Sequence, residues 1–207
     1  ALACLRRDAL VACKLERRRL MLVHTVMASP LGKLKLVAND RGLVAVALPG
    51  QDAKDESIAV RSHAVLDQAA RELSEYFAGK RHRFTIKLEL RGTPFQKHVW
   101  RALARIPFGR RRSYGELAHA IGKPGAARAV GRANATNPIA ILLPCHRVVG
   151  ADGALTGYAG GVAAKRWLLD HEESVGALCS HASAPCPTRV RTTAASACAT
   201  RRDRRLA

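Results

Sequence analysis

At "RGTP", residues 91–94, the apolar residues change their spacing, so the chain must build its two halves from different elements. Upstream, "LVHTVMAS" (22–29), "KLKLVAND" (33–40) and "GLVAVALPG" (42–50) are short β-rich runs, and "NDRG" (39–42) supplies turn chemistry between the last two. They predict a strand meander. Residues 63–79 place Leu66, Ala69, Ala70, Leu73 and Phe77 on one helical face, with Gly79 as a stop. In "RFTIKLELR" (83–91), Phe84, Ile86, Leu88 and Leu90 alternate with polar residues, the period of a half-buried strand. Residues 21–91 therefore read as a small α/β domain.

Downstream the period is helical. Thr93 is placed to cap a helix with Pro94 at its first position and Phe95, Val99, Trp100 and Leu103 as its apolar stripe. Ser113 and Glu116 have capping-box spacing, Leu117, Ala118 and Ile121 face inward, and Gly122 terminates. After "GKPG" (122–125) comes "AARAVGRANA" (126–135), a helix of small residues carrying Arg128 and Arg132. The sum is helix, short turn, helix over residues 92–174. Small residues suit either tight helix packing or close approach to a large ligand. Arg128 in the middle of the run points to a polyanion, with a solvated helix face as the alternative. From Val175 to Ala207 the sequence has no apolar period and is expected to be disordered. Residues 1–20 read as an extension preceding Met21, in preference to a targeting segment.

The charge agrees with a polyanionic partner. The chain carries 35 Lys and Arg against 16 Asp and Glu, a formal +19. Residues 1–20 and 175–207 contribute +4 and +5, which leaves +10 on the body between them. The six cysteines are Cys4, Cys13, Cys145, Cys179, Cys186 and Cys198, and only Cys145 belongs to the body. A secreted disulfide framework would spread them through the folded region, so a reducing cytoplasm is the expected compartment. No run approaches the roughly 18 apolar residues of a membrane span, and no membrane partner is expected.

Cys145 lies in "ILLPCHRVVG" (141–150), beside His146. A disulfide has no partner in the body. A metal site has no second cysteine nearby, and Cys4, Cys13, His24 and His82 match no compact zinc spacing. Two readings stay open: a small buried hydrophobe, and a nucleophile whose thiolate His146 would form. The second needs a group to orient the imidazole. Asp170, Glu172 and Glu173 in "KRWLLDHEES" are the carboxylates on offer, and Asn137 in "ATNPIA" begins an Asn-Pro turn.

The run Pro144-Cys145-His146-Arg147-Val148 resembles the active-site motif of the O6-alkylguanine-DNA alkyltransferase family. Four blocks support the resemblance in order: "SYGELA" (113–118), "KPGAARAVGRANATNP" (123–138), "GYAGG" (157–161) and "KRWLLDHE" (165–172). It implies a ribonuclease H-like α/β domain followed by a mainly helical domain with a helix-turn-helix and a wing. It also implies transfer of the alkyl group of O6-alkylguanine in duplex DNA to Cys145, once per molecule, with O4-alkylthymine as a second substrate. His146 would be the base acting through a water, Glu172 its orienter, Asn137 the brace of the turn, and Tyr114 a proton donor to the guanine. Arg128 would fill the place of the flipped base in the minor groove, with Tyr114, Gly115, Lys123, Ala126, Ala127, Ala129, Gly131 and Ala151 also against DNA. Val148, Thr156, Tyr158 and Ala159 would form the pocket. Thr156 and Ala159 differ from what relatives carry there, at positions bordering the alkyl group. The expected partner is double-stranded DNA, bound by a monomer; no cofactor and no metal are expected. A noncatalytic alkylguanine-binding module of the same fold would lack the cysteine, and a regulatory relative would need a further domain.

Overall fold

The computed structural model describes residues 21–51 and 56–181. The 1–20 extension and the tail beyond residue 181 lie outside the described residues. Strands β1 (Val23–Ser29), β2 (Gly32–Asn39) and β3 (Gly42–Ala47) form the expected antiparallel meander. Asn39 closes the second turn, its side-chain oxygen accepting from the amides of Arg41 (2.9 Å) and Gly42 (3.2 Å). A two-residue strand β4 (Ile58–Ala59) adds parallel to β1, giving the order β3-β2-β1-β4. Helix α1 (Ala64–Phe77) covers the sheet with Leu66, Ala69, Leu73 and Tyr76 buried, and Gly79 ends it at φ 71°.

Residues 84–90 do not form the expected strand, and the chain bends at Ile86. One parallel bridge joins Leu88 to Leu43. The buried Glu72 carboxylate accepts from the Thr85 amide (2.9 Å), the Thr85 hydroxyl (2.5 Å) and the Ile86 amide (3.4 Å), which removes these groups from any ladder. The other end of the β3 edge is occupied as well: the Val46 amide donates to the Pro138 carbonyl (3.0 Å) and the Ala140 amide to the Val46 carbonyl (3.3 Å). The alternation in this segment still turns Ile86 into the core.

Helix α2 (Pro94–Leu103) starts in a full capping box, Thr93 with Gln96, and buries Val99, Trp100 and Leu103. Strand β5 (Arg112–Ser113) leads into α3 (Tyr114–Ala120), capped by Ser113 and Glu116 as expected. Residues 121–126 turn the chain, with Gly122 and Gly125 at φ 69° and 87°, into α4 (Ala127–Ala135). The Trp100 indole donates to the Ala133 carbonyl at 2.8 Å and fastens α2 to α4. Strand β6 (Val148–Val149) pairs parallel with β5. One continuous core runs from Leu34 and Leu36 of β2 through Leu73, Trp100, Leu117 and Val130 to Leu143 and Leu168.

The last helix, α5 (Gly161–His181), extends beyond the expected end of order at Val175. A Cβ on Gly79 would stand 3.0 Å from Val175, so this side chain packs on the turn after α1 and carries the helix further. The tail reading rested on composition, which does not register one such contact. No described helix is long and apolar enough to cross a membrane.

Leu73 is fully buried at the α1–sheet interface. Leu73→Ala is expected to cost about 2–5 kcal/mol in urea unfolding, as the cavity it leaves only partly collapses.

Candidate active site

The turn after α4 is built around Asn137. Its side-chain oxygen accepts from the Ile139 amide (3.1 Å) and its Nδ2 donates to the Leu143 carbonyl (2.8 Å). Between these anchors Ile141 sits at φ 71°, a left-handed conformation costly for a β-branched residue, of order 1–3 kcal/mol. The backbone bonds Leu143 to Ile139 (3.1 Å) and Cys145 to Leu143 (2.7 Å) hold it there. The chain then enters a single 3₁₀ turn, Cys145–Arg147, in which all three side chains are buried. Cys145 is 6% exposed and His146 0%.

Glu172, on α5, meets this turn. His146 Nε2 lies 2.9 Å from Glu172 Oε1, Arg147 Nε and Nη2 reach the same carboxylate at 2.9 and 2.8 Å, the Tyr76 hydroxyl donates at 2.7 Å, and the Gly109 amide at 3.0 Å. Burial works against the charge, but the hydrogen bonds from His146 and Arg147, with the charge of Arg147, outweigh it and hold this carboxyl well below the usual range. Burial pushes His146 the same way, below its ordinary value, against the pull of Glu172. A neutral imidazole facing an ionised carboxylate must donate from Nε2, which leaves Nδ1 as an acceptor. Nδ1 is buried without a hydrogen-bond partner among the described residues.

Burial also raises the Cys145 thiol, more than the Asn137 side chain and the Lys165 charge lower it. At neutral pH it is a thiol that needs a base to react. Lys165 is itself fully buried, donating to the carbonyls of Val148 (2.6 Å) and Thr156 (3.0 Å).

The structure thus brings Cys145, His146, Glu172 and Asn137 together. Tyr114 opens α3, and β5–β6 pairing sets it beside the residues after the cysteine turn. A Cβ on Gly131 would stand 3.7 Å from its ring, so the ring lies against α4. Gly115, Lys123, Arg128, Ala129 and Ala151 are exposed, and Ala126, Ala127 and Gly131 half-buried. Arg128 and Arg132 flank a groove of about 490 Å³ against the start of α2. Of the four expected pocket residues, Tyr158 and Ala159 line the cavity at Cys145, whereas Val148 and Thr156 do not and instead present carbonyls to Lys165. Sequence reasoning missed Tyr76, Gly109, Arg147 as a partner of Glu172, and Lys165. Arg147 stood next to His146 in the motif; Tyr76 is 96 residues from Glu172 and carried no signal.

A buried thiol with an unpartnered imidazole nitrogen, backed by an ionised carboxylate, defines a protein that uses cysteine as a nucleophile. Residues 22–90 match the family model of the 6-O-methylguanine DNA methyltransferase ribonuclease-like domain, and residues 94–174 that of its DNA-binding domain. The methylated-DNA–protein-cysteine methyltransferase of Mycobacterium bovis is 47% identical over 159 residues, 74% of this chain and 94% of that protein. The constitutive one of Bacillus subtilis is 43% identical over 155 residues, covering 72% and 94%. The crystal structure of Mycobacterium tuberculosis OGT in complex with DNA aligns with TM-score 0.69 and 47% identity over 73% of this chain and 93% of that one. The chain belongs to the 6-O-methylguanine DNA methyltransferase family.

Both shifts in the dyad have the same sign. Each group binds fewer protons folded than unfolded, so stability rises with pH: for His146 below its ordinary value of about 6.5, for Glu172 below about 4.3. Glu172→Gln leaves the buried Arg147 charge uncompensated and is expected to cost about 3–5 kcal/mol at pH 7. In denaturant titrations the gap to the parent should narrow as pH falls below about 4, because the unfolded parent's carboxylate then takes up a proton while the folded one stays ionised, and the parent loses stability the variant never had.

Proposed function

We propose that this chain performs direct-reversal repair: it takes the alkyl group of O6-alkylguanine in duplex DNA onto Cys145. The observation that carries the reading is the buried Cys145 beside His146, whose free Nδ1 is aligned by Glu172. The thiol proton passes to His146 through a water, sulfur attacks the alkyl carbon in line, the carbon–O6 bond breaks, and guanine leaves with a proton from Tyr114. Glu172 stabilises the imidazolium that forms. The product is a thioether, which water does not readily cleave, so each molecule acts once. O4-alkylthymine presents the same alkyl–oxygen chemistry and is proposed as a second substrate.

DNA recognition follows from α3, the turn and α4 acting as a helix-turn-helix, with the β5–β6 region as the wing. Ala126, Ala127, Ala129 and Gly131 keep the α4 surface low enough to lie in the minor groove, and exposed Arg128 fills the gap left by the flipped base. Gly115, Lys123 and Ala151 belong to the same proposed contact surface. Val148, Thr156, Tyr158 and Ala159 are proposed to frame the base, Val148 and Thr156 through backbone held by Lys165.

The test is intact mass after incubation with duplex containing O6-methylguanine: one added methyl group, mapped to Cys145. No gain, or methyl groups on other cysteines, overturns the assignment. Cys145→Ala should keep DNA affinity while transfer disappears. Arg128→Ala should slow transfer from duplex by about tenfold or more, the loss of about 1.4 kcal/mol at the barrier, while leaving transfer from the free base O6-methylguanine unchanged.

A further inference from the structure

The cavity at Cys145 has walls from both halves of the chain. Tyr158 and Ala159 come from the C-terminal half; Leu48 and Gln51 come from the segment that follows β3 in the N-terminal half. Leu48 is 2% exposed. Its position is set by backbone: Gln51 Oε1 accepts from the Leu48 amide (2.9 Å) and the Gln51 amide donates to the Leu48 carbonyl (3.0 Å). Two residues earlier, Val46 exchanges hydrogen bonds with Pro138 and Ala140, on the turn that leads to the cysteine. A Cβ on Gly160 would come within 2.5 Å of Leu48 Cδ1, so the 157–160 loop rests directly on this side chain.

The cavity is about 10 Å³, room for about one water. In an in-line displacement the alkyl carbon lies between sulfur and O6. A methyl group ends there, and any larger group must project sideways into a wall. The side chains of Ala140 and Ala159 are small, and among the described residues Leu48 is the one large aliphatic side chain lining the cavity.

We propose that Leu48, from the N-terminal domain, sets the size of alkyl group that Cys145 can accept. The proposal rests on the alkyl-transfer reading above. The chemical step is unchanged: the sulfur–carbon bond forms, the carbon–O6 bond breaks, the thiol proton goes to His146, and guanine receives one from Tyr114. What Leu48 governs is the space beside the transferred carbon.

The experiment is single-turnover transfer from the same duplex carrying either O6-methylguanine or O6-benzylguanine, with the full chain and its Leu48→Ala variant. Leu48→Ala is expected to raise the benzyl-to-methyl rate ratio by about tenfold or more. A loss of stability alone would slow both substrates together and leave the ratio where it was. If Leu48→Ala melts below the assay temperature, Leu48→Val is read instead, with a smaller rise expected. A folded variant whose ratio stays within about twofold of the parent's overturns the role of Leu48. A parent chain that transfers neither group overturns the alkyl-transfer reading itself.

Discussion

The Glu172 carboxylate is the point on which the rest of the site depends. It is 1% exposed, yet it receives hydrogen bonds from four residues in three separate places: Tyr76 on α1, Gly109 in the loop before β5, and His146 and Arg147 on the cysteine turn. A lone buried carboxylate would take up a proton. Here the Arg147 fork and the other donors keep it ionised, and that charge fixes the tautomer of His146. Arg147 in turn donates to the Ile106 carbonyl at 2.6 Å and lies 5.7 Å from the Phe108 ring centroid, so the end of α2 is tied in as well. One carboxylate thus couples the N-terminal helix, the loop after α2, the reactive turn and the last helix.

That arrangement keeps a reactive group quiet until a substrate arrives. The thiol of Cys145 is raised by burial, and the His146 imidazole is neutral with an open acceptor nitrogen. Neither is charged at rest, so the reacting pair itself buries no charge. The strained backbone at Ile141 and the Asn137 brace place the sulfur at the mouth of the 3₁₀ turn. The strain persists because the surrounding hydrogen bonds leave the turn no other shape.

Much of the fold was legible in the sequence because it is written in local periods and caps. The meander, α1 with its Leu66 and Leu73 face, the Thr93 and Ser113 caps and the glycine stops at 79 and 122 all follow from chemistry within a few residues. The strand expected at 84–90 did not form because Glu72, a residue of another element, binds Thr85 and Ile86. The helix passed Val175 because of a contact with a turn nearly a hundred residues earlier. Within the site, the Cys-His pair and the candidate carboxylates were visible. Which carboxylate turns inward was left to family resemblance, since Asp170, Glu172 and Glu173 look alike in sequence and only helix phase and packing separate them.

The sequence by itself determined the period of each segment, the helix caps at Thr93 and Ser113, the glycine stops at 79 and 122, the basic body and a single cysteine beside a histidine in a proline-led turn. These are short-range properties, carried by residue types and their spacing. Tertiary structure decided which groups lose water. It buried Glu172 among Tyr76, Arg147 and His146, turned Lys165 onto the Val148 and Thr156 carbonyls, and brought Leu48 of the first half to the cavity of the second. The physical reason is that desolvation depends on neighbours far apart along the chain, and it is desolvation that sets the protonation of the thiol and imidazole and the space left beside the sulfur.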